Sequence, residues 1–141
     1  MIQLDVISIS NIVSRHVPGL QAIYLYGSAA DPAVSLDAVG DIDIAILSSP
    51  GNALKRTQLM LSNLRSDLED MLEKPVDISD LRSASVIFCI EVIDTGTRIY
   101  TADEFAADTF EMLSLSYYQE LNQQRAGILA DILSTKRAVQ I

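Results

Sequence analysis

Residues 41–47 read Asp-Ile-Asp-Ile-Ala-Ile-Leu, an alternation that suits a strand with one face turned into a core. Side chains at i and i+2 of a strand share a face, with Cα atoms about 6.5 Å apart. Asp41 and Asp43 therefore project side by side, while Ile42 and Ile44 turn inward. Two aligned carboxylates make an oxygen-rich site suited to Mg²⁺, which prefers hard ligands and leaves room for substrate phosphates. Taken alone the pattern is weak evidence, because a solvated strand face often alternates Asp in the same way.

The surrounding chain predicts an α/β (α+β) fold: a small mixed sheet of about four strands with helices on at least one face. Ile2, Val6, Ile9 and Val13 recur at spacings of three and four, which marks an N-terminal amphipathic helix stopped by Pro18-Gly19. Residues 20–26 are short, apolar and aromatic, as in a buried strand, and 27–40 form a turn and loop. Leu54, Leu61, Leu64, Leu68, Met71 and Leu72 predict one amphipathic helix over 53–73, ended by Pro75. A third strand follows at 76–79 and an apolar helix at 83–94, with Gly96 placed to cap it. The last strand covers 97–100. Thr101-Ala-Asp-Glu104 has capping-box spacing, and a long helical segment or helix pair runs from about 102 to 137. No linker or repeat divides the chain, so one domain over 1–141 is expected.

Three neighbours strengthen the Asp pair. Gly27-Ser28 ends the preceding strand, where Gly permits a tight turn and close approach of backbone to a phosphate, and amides after it can form an anion-binding nest. Gly40 lets the loop return sharply onto the Asp strand. Asp77 lies on the short third strand; were that strand to lie beside 41–47, it would complete a cluster of three carboxylates. Burying three like charges without a cation is costly, so such a cluster implies metal.

Tyr24-Leu-Tyr-Gly-Ser28, Gly40-Asp-Ile-Asp-Ile44 and Val76-Asp-Ile-Ser-Asp80 together resemble the polymerase-beta-like nucleotidyltransferases. More narrowly, the chain is similar to the minimal nucleotidyltransferases, the MNT antitoxins paired with HEPN ribonuclease toxins. Twelve residues, 29–40, separate Gly-Ser from Asp-x-Asp, slightly more than is usual in the family; a surface loop accommodates the difference at little cost. The resemblance implies the palm fold of that superfamily, two Mg²⁺ ions held by Asp41 and Asp43 with Asp77 as third carboxylate, and β- and γ-phosphates held by Gly27 and Ser28. It implies transfer of AMP from ATP to a tyrosine hydroxyl of a cognate HEPN toxin, with pyrophosphate released. Asp77 is then the candidate to help deprotonate that hydroxyl.

Charge agrees with a protein partner. Ten basic residues face 19 acidic ones, a net charge of −9. A protein that grips a phosphate backbone needs Lys and Arg to replace counterions, so long nucleic acid is not expected as a direct partner. A basic protein suits better, and a hetero-oligomer with the toxin is the expected assembly. Phe110, Leu113, Tyr117, Leu121, Ile128 and Ile132 form a stripe on the C-terminal segment, widened by Met112, Leu115 and Tyr118. Part of that stripe belongs to the core, and the remainder is available for docking. No stretch approaches the roughly 20 apolar residues of a spanning helix. The N-terminus lacks a basic start followed by a long apolar run, and Cys89 has no internal partner, so the cytoplasm is the expected compartment.

His16 reads as a helix-end residue and Cys89 as core. Lys55, Arg56 and Arg82 are cations that could meet a triphosphate or stay solvated. Two other functions use the same motifs. One is a binding antitoxin that occludes its toxin without catalysis. The other is a transferase for a small hydroxylated molecule such as an aminoglycoside.

Overall fold

A computed structural model describes residues 5–139; Ile2, read as the first apolar position of the N-terminal helix, lies outside them. The elements are α1 (Val6–His16), β1 (Ala22–Tyr26), β2 (Ile42–Leu47), α2 (Arg56–Met60), α3 (Asn63–Leu72), β3 (Val76–Asp80), α4 (Val86–Thr95), β4 (Thr97–Thr101) and α5 (Glu104–Val139). Short 3-10 turns at Gly27–Ala30, Leu36–Ala38 and Leu81–Ser83 join them. The four strands lie in the order β3-β2-β1-β4. β1 runs antiparallel to both β2 and β4, and β2 runs parallel to β3. The sheet is therefore mixed, as expected, and helices cover both of its faces.

Strand alternation divides the core. Ile23, Leu25, Ile42, Ile44, Ile46 and Ile78 pack on one face against Ile9, Ile12 and Val13 of α1 and Leu64 and Leu68 of α3. Ala22, Tyr24, Ala45 and Leu47 pack on the other against Cys89 and Val92 of α4 and Ala107 of α5. The second face bears small residues where helices press close, and it also carries Asp43. Tyr24 donates to Glu111 (3.1 Å), which Arg98 also bonds at 2.8 Å, so β1 and β4 are tied to the base of α5.

Two boundaries differ from the sequence reading, each for a local reason, and two follow it in a particular form. The expected helix over 53–73 breaks into α2 and α3, because Ser62 accepts from Arg65 N–H at 3.3 Å and caps a new helix. Gly96 does cap α4, with its N–H bonded to Val92 O at 2.8 Å, but in extended rather than left-handed backbone. Its small size is what matters, since a Cβ there would press on the carbonyl oxygens of Val92 and Leu25. The N-terminus of α5 is capped by Asp103, which accepts from Ala106 N–H at 3.0 Å, and not by Thr101. Of the two forms expected for the C-terminal segment, the structure has the single long helix, of 36 residues. Among the described residues no helix is long and apolar enough to cross a membrane.

Candidate active site

Register builds the centre of the site. Tyr26 of β1 stands opposite Asp43 of β2, and Asp43 stands opposite Asp77 of β3. Because Ile42, Ile44 and Ile78 occupy the other face, the row Tyr26–Asp43–Asp77 shares the α4 side of the sheet. The two carboxylates thus come from parallel neighbours joined by the α2–α3 crossover. Asp41 is exposed and sits just before β2 begins at Ile42, at the lip of the same row.

The row is crowded with negative charge. Burial, then Asp77, then Asp41 raise the pKa of Asp43, with Arg56 opposing them. Burial together with Asp77 and Asp43 pushes the Tyr26 phenol up to about 12. Arg56, from the start of α2, is the nearest cation: its Nη2 lies 2.9 Å from both oxygens of Asp77. Its geometry satisfies a hydrogen bond to Oδ2 alone, and the buried Oδ1 of Asp77 accepts none. Arg56 Nη1 also reaches Ser79 Oγ at 3.3 Å.

Gly27 closes the other side. Its φ of +70° lies in the left-handed region, and a side chain there would run into the Asp43 carboxylate. Both requirements select glycine at this one place. Ser28 follows in the short 3-10 turn and is exposed. Gly40 has open space where a Cβ would stand, so no close contact dictates a glycine there.

Asp80, the last residue of β3, is 1% exposed and organises the neighbouring loops. It accepts from Ser48 Oγ (2.5 Å), Leu54 N–H (2.9 Å) and Arg82 N–H (3.0 Å). These bonds fix the segment that delivers Arg56 to Asp77. The sequence reading passed over Asp80, although an Asp two residues before Arg82 at a strand end is a recognisable turn-capping signal. Phe88 was passed over as well; its ring meets Tyr26 edge-on at 5.5 Å.

The remaining residues singled out in the sequence stand elsewhere. Arg82 donates to Ser48 O and to Gln21 Oε1 and lies over the Phe110 ring, so it is committed to the α5 side of the fold. Lys55 is exposed beside Arg56. His16 ends α1 and meets Asp67 of α3 at 2.7 Å, consistent with a helix-end role. Cys89 is buried, and burial with Asp80 nearby raises its thiol to about 11. Among the described residues no three His, Cys, Asp or Glu side chains stand close enough together to hold a metal ion as a group. Asp43 and Asp77, paired in register, are nevertheless hard oxygen donors of the kind a divalent cation prefers, and a cation would relieve the repulsion between them. Asp77 Oδ1 is buried and, though close to Arg56, accepts no hydrogen bond.

Comparison with known proteins identifies the family and the fold. Residues 8–105 match the family described as Polymerase beta, Nucleotidyltransferase. The protein adenylyltransferase MntA of Shewanella oneidensis is 30% identical over 138 residues, covering 98% of this chain and 94% of that protein. A toxin–antitoxin crystal structure with AMP-PNP superposes with a TM-score of 0.73 at 30% identity, covering 92% of this chain and 99% of the other. A complex of the tri-AMPylated Shewanella oneidensis HEPN toxin with its MNT antitoxin superposes with a TM-score of 0.69 at 31% identity, covering 94% and 99%.

Proposed function

Since the chain belongs to the polymerase beta nucleotidyltransferase family, we propose that it is an adenylyltransferase antitoxin, moving AMP from ATP to a tyrosine hydroxyl of a cognate HEPN ribonuclease toxin. The observation that carries this reading is the register pair Asp43–Asp77, with Gly27 backed against the Asp43 carboxylate. A strand face that was merely solvated would require neither the parallel Asp partner nor a left-handed glycine.

In this reading Asp41, Asp43 and Asp77 hold two Mg²⁺ ions, and Gly27 and Ser28 hold the β- and γ-phosphates through backbone amides and the Ser28 hydroxyl. When bound, the metal supplies charge stabilisation for the attacking and leaving oxygens of an in-line displacement. Asp77 accepts the acceptor's hydroxyl proton. The freed oxygen bonds to the α-phosphorus as the bond from that phosphorus to the β-phosphate oxygen breaks, and pyrophosphate leaves with the electron pair. Arg56 vacates Asp77 as this happens, since the carboxylate cannot serve proton, metal and guanidinium together.

The partner supplies the acceptor, and α5 supplies a place for it. From 122 to 135 every described side chain is exposed, including Ile128, Leu129, Ile132 and Leu133 at 48–60%. An apolar stripe of this size on a free helix suits a protein interface, and the occupant we assign is the HEPN toxin. AMP placed on the toxin's RNA-binding surface adds a bulky anion where an RNA phosphate must sit, which blocks cleavage. The compartment in this reading is the cytoplasm, where ATP and the toxin meet.

The test uses the chain with ATP, Mg²⁺ and the product of its neighbouring reading frame, followed by intact mass. The partner gains one or more AMP units, and Asp41→Asn with Asp43→Asn abolishes the gain. Neutralisation that survives the double substitution with no mass change would replace catalysis by occlusion.

A further inference from the structure

Beside the carboxylate row, a cavity of about 240 Å³ opens between β3 and the N-terminal end of α4. Arg56, Ser79, Ser83, Ser85 and Phe88 line it, and Phe88 ties it to the carboxylate row through Tyr26. Arg56 belongs to both places: its guanidinium forms part of the wall and bonds Asp77 at 2.9 Å. Ser79 shares the sheet face of Asp77, two residues along β3. The cavity therefore leads to the group proposed to take the acceptor's proton.

Two properties limit what the cavity can take. Its volume falls below the roughly 300–1,000 Å³ of pockets that enclose a small molecule and suits a single inserted side chain. Its walls pair an aromatic ring with a guanidinium. Phe88 is held edge-on against Tyr26 at 5.5 Å and 90°, and Arg56 can lie over an incoming ring. That combination suits an aromatic acceptor better than the short aliphatic hydroxyls of Ser or Thr.

We propose that this cavity is the acceptor pocket, which receives a tyrosine side chain of the partner protein ring-first past Ser83 and Ser85 and presents its hydroxyl beside Asp77. The proposal rests on the nucleotidyl-transfer reading above. The phenol oxygen forms the new bond to the α-phosphorus, its proton passes to Asp77, and pyrophosphate departs. Phe88 selects for the ring. Arg56 is a positioning residue: it holds Asp77 in place before the acceptor arrives, then turns onto the ring.

The experiment measures AMP transfer from ATP to the partner protein, with Mg²⁺, for the wild-type chain and for Phe88→Ala, Ala84→Trp and Arg56→Ala. KM for the partner and KM for ATP are determined separately, with melting temperatures beside them. Ala84 lines the cavity, so a Trp there fills it. Phe88→Ala and Ala84→Trp are expected to lower transfer about 100-fold through the acceptor, leaving KM for ATP within about twofold. Arg56, whose side chain is largely exposed, leaves the fold intact when truncated, and its loss raises KM for the partner about tenfold. Transfer at the wild-type rate by a folded Phe88→Ala or Ala84→Trp chain, or an unchanged partner KM in Arg56→Ala, overturns the pocket while the reaction stands. A wild-type chain that transfers nothing to the partner overturns the reaction itself, and the pocket with it.

Discussion

At the scale of single residues, Gly27, Asp43 and Asp80 do distinct jobs within a short span. Gly27→Ala would need left-handed backbone and would push into the Asp43 carboxylate. Pyrophosphate release by that variant is expected to fall about 100-fold. Asp43 shows how the site opposes its own stability. Its raised pKa means that the folded chain holds this proton more tightly than the unfolded chain. The stabilisation is present below the ordinary Asp range and is lost as pH rises through the raised value. Asp43→Asn removes the repulsion and should therefore raise the metal-free melting temperature at neutral pH. The same change should abolish the stabilisation that Mg²⁺ gives the wild type, and differential scanning fluorimetry reads both. Asp80 is structural: Asp80→Ala orphans the Leu54 and Arg82 amides and the Ser48 hydroxyl, and should cost about 3 kcal/mol in urea unfolding. Cys89, buried with its thiol raised to about 11, should resist iodoacetamide at pH 8 until the chain is unfolded.

At the scale of elements, what the sequence revealed was whatever had a period. The Ile-Asp alternation of β2 and the leucine spacing of α3 predict type and face, because burial on one side leaves a repeating mark. Contacts that depend on a single side chain left fainter traces. The Ser62 cap that divides α2 from α3 carries no flanking Glu or Gln to announce it. Gly96 was legible as the cap of α4, but not its second role, letting β1 pass close to the end of that helix. Gly96→Ala must displace backbone rather than a side chain, and should lower stability by about 2 kcal/mol by the same urea measurement. The site was legible to the same degree. Asp41, Asp43 and Asp77 carry a local pattern, but the pairing of Asp77 with Arg56 and the cavity behind it depend on which strand lies beside which. Those are facts of topology and not of local spacing.

At the scale of the whole molecule, the chain divides into a body and a projecting arm. Residues 5 to about 118 form the sandwich of helices around the sheet, and the rest of α5 extends beyond it with its apolar stripe uncovered. Removing residues 122–141 should leave the melting temperature within about 2 °C, because the described side chains of that segment, 122–135, are all exposed. The same truncation should abolish co-purification with the partner. The parallel pairing of β2 and β3 carries a separate consequence. The two carboxylates are distant along the chain and meet only when the crossover has folded and the strands have locked in register; a slip of one residue would bring Val76 or Ile78 to the position of Asp77. Partly folded chains therefore have no intermediate level of competence. During refolding, transfer should return in one step with the locking of β2 against β3, so that activity serves as a clock for that one pairing.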